Sequence, residues 1–132
     1  MAPDSPGLEQ CIERLHSHDA LTMEDGFHWL LPRVSELLAE LIAAFEDEGN
    51  VAIRHWLLEL IGEAKSSTAL PLLAASLRSP DESLRAWAIH GLHALDRAEA
   101  RQLLSAARAY TFATLDETAR FQGMLATIVD GD

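Results

Sequence analysis

The chain has 132 residues, nearly half of them apolar, with one cysteine and a formal net charge of −11. That length suits one domain burying roughly two thirds of its unfolded surface, and the apolar content excludes global disorder. No apolar run reaches the ~18 residues a membrane-spanning helix needs, a lone thiol cannot form an internal disulfide, and charge of this sign repels nucleic acid and anionic membranes.

The first seven residues, Met1-Ala-Pro-Asp-Ser-Pro-Gly7, read as a disordered tail. They carry neither the basic nor the apolar region of a signal peptide, so a cytoplasmic location is expected. Leu8, Cys11, Ile12 and Leu15 then follow helical spacing and predict a helix to about His18. Residues 19–31 are ambiguous: Gly26 weakens a long helix, and Phe27, Trp29, Leu30 and Leu31 read as a short buried helical piece. Pro32 suits the first turn of a helix reaching about Asp47. In it Leu37, Leu38, Leu41, Ile42 and Phe45 fall within an arc of about 140°. Glu36, Glu40, Ala43 and Asp47 form a stripe on the opposite side.

Gly49-Asn50 ends that helix and opens another, Val51–Ala64, with Ile53, Trp56, Leu57, Leu60 and Ile61 inside and His55, Glu59 and Glu63 outside. A turn at Lys65–Thr68 leads to a short helix with Leu70, Leu72, Leu73 and Leu77. Ser79 as N-cap, Pro80 at the first position and Glu82 at the third predict a capping box for a helix to about Leu95, whose inner face is Leu84, Trp87, Ala88, Gly91 and Leu92. Asp96-x-x-Glu99 reads as a second capping box, before Leu103, Leu104 and Ala107. Thr114-x-x-Glu117 reads as a third, before Ala119, Phe121, Met124, Leu125 and Ile128. No segment reads as a strand.

A 31-residue echo joins these elements. Ile53-Arg54-x-Trp56 returns as Leu84-Arg85-x-Trp87, and Leu41-Ile42 returns as Leu72-Leu73 and then as Leu103-Leu104. Repeats of this length bury their apolar faces by stacking on one another. The expected fold is all-α: a short α-solenoid of antiparallel helix pairs, with about seven or eight helices, in a single domain over residues 8–132.

The segment Asp81–Leu95, Asp-Glu-Ser-Leu-Arg-Ala-Trp-Ala-Ile-His-Gly-Leu-His-Ala-Leu, resembles the HEAT repeat, in particular the short form of phycobilisome-lyase-like HEAT proteins. Ala69-Leu-Pro-Leu-Leu73 matches the second helix of that repeat, and Glu48–Glu63 matches the first more loosely. The resemblance spans about residues 32–109, with 8–31 and 110–132 as capping pieces. It implies that Arg54 and Arg85 bond to loop carbonyls or acids of an adjacent repeat rather than hold an anion. It also implies that the outer stripe of each second helix lines an inner, concave surface. Shifting Glu36, Glu40, Ala43 and Asp47 by 31 gives Ser67, Pro71, Ala74 and Arg78, and a second shift gives Ala98, Gln102, Ser105 and Ala109. Glu36, Glu40, Asp47, Ser67, Arg78, Gln102 and Ser105 are therefore the candidate partner-binding residues.

Catalytic and metal signatures are missing from the sequence. His90 and His93 stand at i, i+3, and His16-x-His18-Asp19 forms a second cluster, but zinc needs three or four converging ligands. No Gly-x-Ser-x-Gly turn or phosphate loop is present, and Glu46-Asp47-Glu48 reads as a solvated charge run. No metal, cofactor or catalytic residue is expected. What remains is a non-enzymatic module that binds a basic protein partner through an acidic surface, its most specific form being a bacterial immunity or inhibitor protein acting on a basic toxin. A structural or regulatory subunit is the alternative, assembling through its repeats by an exposed apolar flank; Leu58 and Ile89, at equivalent positions beside the core arc, would contact neighbouring repeats or a second copy. The resemblance to lyase-type repeats implies a third reading, a lyase or chaperone.

Overall fold

The computed structural model describes residues 8–17 and 19–130; the expected tail at Met1–Gly7 falls outside it, as does His18. The described residues form eight α-helices and no strand. They are α1 (Leu8–Leu15), α2 (Ala20–Leu30), α3 (Leu38–Asp47), α4 (Val51–Glu63), α5 (Leu70–Ser76), α6 (Glu82–Leu95), α7 (Ala98–Ala107) and α8 (Leu115–Leu125). The architecture is a short α-solenoid. α1 packs on α2, α3 on α4 and α5 on α6, while α6 also meets α7 and α8. The most extensive contact joins α4 to α6, the equivalent helices of successive repeats.

Two glycines make that contact close. A Cβ on Gly62 would lie 3.2 Å from the Cα of Gly91, and one on Gly91 would lie 3.0 Å from Cδ2 of Leu73. The α4 and α6 backbones thus touch with no side chain between them, and the end of Leu73 fills the notch on α5's side. Gly26 acts likewise between α1 and α2, where a Cβ would come within 2.7 Å of the Cys11 carbonyl oxygen. Residues 20–30 are therefore one unbroken helix rather than a short piece, because close packing on α1 outweighs the low helix propensity of glycine.

Leu58 and Ile89 are fully buried, which agrees with contact between neighbouring repeats and corrects the expectation of an exposed flank open to a second copy. A helix with neighbours on both sides buries a wider arc than an amphipathic surface helix. Trp56 and Trp87 are half-buried against the core, Trp56 edge-on to Phe27 with ring centroids 4.8 Å apart.

Helix starts differ from expectation in three places. Pro32 sits in a 3-10 turn, Leu31–Arg33, that closes α2, and α3 begins only at Leu38. A proline just past a helix end cannot continue it, so here Pro32 stops one helix instead of opening the next. The N-cap of α6 is Asp81, whose Oδ1 accepts the Leu84 N–H at 3.0 Å; Ser79 Oγ accepts the N–H of Asp81 instead. Asp96 caps the C-terminal end of α6 in a left-handed conformation (φ 49°), and α7 has Arg97 as N-cap without a side-chain bond. Thr114 does cap α8, with Oγ1 accepting the Glu117 N–H at 3.0 Å. Phe121 and Leu125 are buried and Met124 and Ile128 half-buried, whereas Ala119 is exposed.

The echo extends to the loops. Asn50 and Asp81, one period apart, are both side-chain N-caps; Lys65 and Asp96, again one period apart, are the two non-glycine residues with positive φ among the described residues, both at 49°. A left-handed residue with a Cβ is disfavoured by roughly 1–2 kcal/mol. Lys65→Gly is therefore expected to raise stability by about 1 kcal/mol in urea unfolding. Gly62→Ala should have the opposite sign, a net loss of about 1–3 kcal/mol from overpacking. Gly123→Ala, where a Cβ meets nothing within 4 Å, should gain about 0.5–1 kcal/mol.

Candidate interaction surface

The positions derived from the outer stripe stay at the surface. Glu36 lies in the turn before α3, and Glu40, Ala43 and Asp47 line the exposed side of α3. Ser67 lies in the 3-10 turn before α5, and Arg78 follows α5; both are exposed, as are Pro71, Ala98, Gln102, Ser105 and Ala109. Ala74 alone is half-buried. The 31-residue shift therefore carries exposure as faithfully as it carries the core.

Those positions do not form one continuous cavity. Pro71 and Ala74 of α5 face Gln102 of α7 across a shallow groove of about 390 Å³, completed by Leu70, Leu103 and Glu99. Helices α5 and α7 stand apart here, while α4 and α6 touch on the other layer. Ser105 belongs to a second cavity, between α6, α7 and the C-terminal turn Ala126–Asp130. Arg78 is not a free edge charge, because its guanidinium stacks on Tyr110 with 3.8 Å to the ring centroid. Glu99, which reads in the sequence as part of a capping box, is a groove residue as well, and its place one turn before Gln102 on α7 is the signal for it.

Arg54 and Arg85 are structural. Arg54 Nε donates to the Phe45 carbonyl at 3.3 Å with its guanidinium over the Phe45 ring. Arg85, only 1% exposed, donates from a terminal nitrogen to the Ser79 carbonyl at 2.7 Å and stacks on Phe112. Each ties the chain before a repeat's first helix to that helix.

Two histidines, His16 and the outward-reading His55, join these loops to other elements. His16 Nε2 lies 2.8 Å from Glu48 Oε1, and His55 Nε2 lies 2.9 Å from Asp81 Oδ1. Burial opposes ionisation of both acids. At Glu48 the Asn50 N–H and His16 outweigh it, and at Asp81 the Leu84 N–H and His55 do, so both pKa values are lowered. Glu59, half-buried rather than solvated, has its pKa raised by burial and then by the charge of Glu63. Among the described residues no three His, Cys, Asp or Glu side chains converge as metal ligands, and no helix is long and apolar enough to cross a membrane.

Residues 38–115, more than half of the chain, match the family described as HEAT repeats. The chain belongs to the HEAT-repeat family. No curated protein and no solved structure matches it. In HEAT-repeat terms α4 and α6 are the first helices of two repeats, and α5 and α7 are the second helices that flank the groove.

The shifted carboxylates set a pH dependence. A lowered folded pKa means that Glu48 and Asp81 bind protons less readily in the folded chain. Their contribution is present above the ordinary values of 4.5 and 3.8 and is lost as pH falls through the lower folded values. His16→Ala with His55→Ala is expected to lower the urea midpoint at pH 7 and to flatten its fall toward pH ~2–3. Glu59 has the opposite sign: its folded pKa lies above 4.5, so its cost appears as pH rises through that value. Glu59→Gln should raise the midpoint at pH 7 and leave it unchanged at pH ~3.

Proposed function

We propose that this HEAT-repeat chain is a non-enzymatic interaction module that captures a basic protein through Glu36, Glu40 and Asp47 and the α5/α7 groove. The observation that carries the reading is the exposed stripe, which repeats at 31-residue intervals while its chemistry changes. It is acidic on α3, and small or neutral with a stacked arginine farther along. A structural role would tolerate the same residue types in every unit. The overall charge of −11, concentrated in residues 1–66, supports a basic partner, since complementary fields speed encounter and reject wrong partners. Within this class we favour an inhibitor or immunity protein of a basic toxin, a reading supported by the acidity of the chain.

Burial of Leu58 and Ile89 removes the feature on which assembly as a homo-oligomer rested. The test is affinity capture from the native source with the wild-type chain and with Glu36→Lys plus Glu40→Lys, the captured protein being identified by mass spectrometry. Both sites are exposed, so the variant is expected to fold. The expected result is a basic protein whose recovery drops about ten-fold with the variant and falls steeply with added salt. Recovery that ignores the charge reversal would sink the proposed surface.

A further inference from the structure

The second cavity, about 330 Å³ between α6, α7 and the C-terminal turn, has a chemistry unlike the rest of this acidic surface. Two of the ten basic side chains of the chain line it, Arg101 of α7 and Arg108 just past that helix, with Ser105 between them in sequence. Leu92, Leu104 and Val129 give it an apolar side, and His93 and Asp96 complete its lining. Arg108 is committed, its two terminal nitrogens lying 3.1–3.3 Å from the Asp130 carboxylate. Arg101 is held differently. One terminal nitrogen makes both of its bonds, to the carbonyl and to the carboxylate of Asp96 at 2.9 and 2.8 Å. Among the described residues its other terminal nitrogen and Nε have no partner and remain as donors. The Ser105 hydroxyl, one turn away, makes no hydrogen bond among the described residues.

We propose that this cavity binds a small organic carboxylate carrying a short apolar tail. The head group meets the planar donors of Arg101, which Asp96 orients, together with the Ser105 hydroxyl. The tail lies on Leu92, Leu104 and Val129. The chain itself presents this pairing at the cavity, where Val129 lines the apolar side and Asp130 supplies a carboxylate to an arginine. A volume of about 330 Å³ falls in the range of roughly 300–1,000 Å³ typical of small-ligand sites. The negative charge does not bar an anion, because the Asp96 carboxylate in the lining is paired with Arg101, residues 67–132 carry only −2, and charges beyond about 8 Å are screened at physiological salt.

The experiment is an NMR titration of the full chain with sodium hexanoate, and in parallel with hexanol, at constant ionic strength. The expected result is saturable hexanoate binding with a dissociation constant on the order of millimolar, as suits so small a ligand. Its shifts should cluster at Leu92, Leu104, Ser105 and Val129. Hexanol should bind about ten-fold more weakly, and Arg101→Gln should weaken hexanoate by a similar factor. Ser105→Ala, a smaller change, should weaken it in the same direction. Shifts that do not saturate, equal responses to the two probes, or hexanoate binding unchanged by both variants would overturn the proposal.

Discussion

The spacing of this solenoid depends on the contact of Gly62 with Gly91. Without side chains there, α4 and α6 approach until backbone meets backbone, and the fully buried Leu58 and Ile89 belong to the same two helices. Dispersion contacts fall off steeply with separation, so a gap of one methyl group along this seam would loosen many of them together. Because α6 also carries α5, α7, α8 and the C-terminal turn, the seam positions the groove and the second cavity as well.

Charged side chains secure the loops that the seam leaves open. Arg54 and Arg85 each reach from a repeat's first helix to a carbonyl in the chain leading into it, and each stacks on a phenylalanine. Arg85 does so while nearly excluded from water, with its Nε unpartnered among the described residues. The Phe112 ring face and the Ser79 carbonyl supply the electron density opposite its charge. Asn50 and Asp81 cap the same helices, and Glu48 and Asp81 receive His16 and His55. The loops are thus tied in part through the carboxylates of Glu48 and Asp81, whose charge depends on pH, whereas the seam is apolar and indifferent to it.

Much of this was legible in the 31-residue period, and more than local motifs alone conveyed. Ser79-Pro80-Asp81-Glu82 and Asp96-x-x-Glu99 both satisfy the capping-box pattern, yet neither caps as that pattern implies. Shifting Asn50 by 31 lands on Asp81, the real N-cap, and shifting Lys65 lands on Asp96, the real left-handed terminator. The period is the better guide because each repeat must present the same backbone to its neighbour, while a four-residue pattern occurs by chance. The surface was legible as exposure but not as shape. Nothing in the spacing of Gln102 and Ser105 says that they line different cavities, since that depends on where α5 and the C-terminal turn come to rest.

By itself the sequence determined the all-helical class, the repeat, the apolar faces and the exposed stripe, because these follow from a 3.6-residue helical period and a 31-residue echo carried by the chain. Only the tertiary structure decided that Gly26 joins two helices instead of weakening one, that Leu58 and Ile89 are core, and that Pro32 ends a helix instead of starting one. Each of these outcomes turns on what stands across a helix interface at a distance of a few ångströms, which no residue specifies without its neighbour in place.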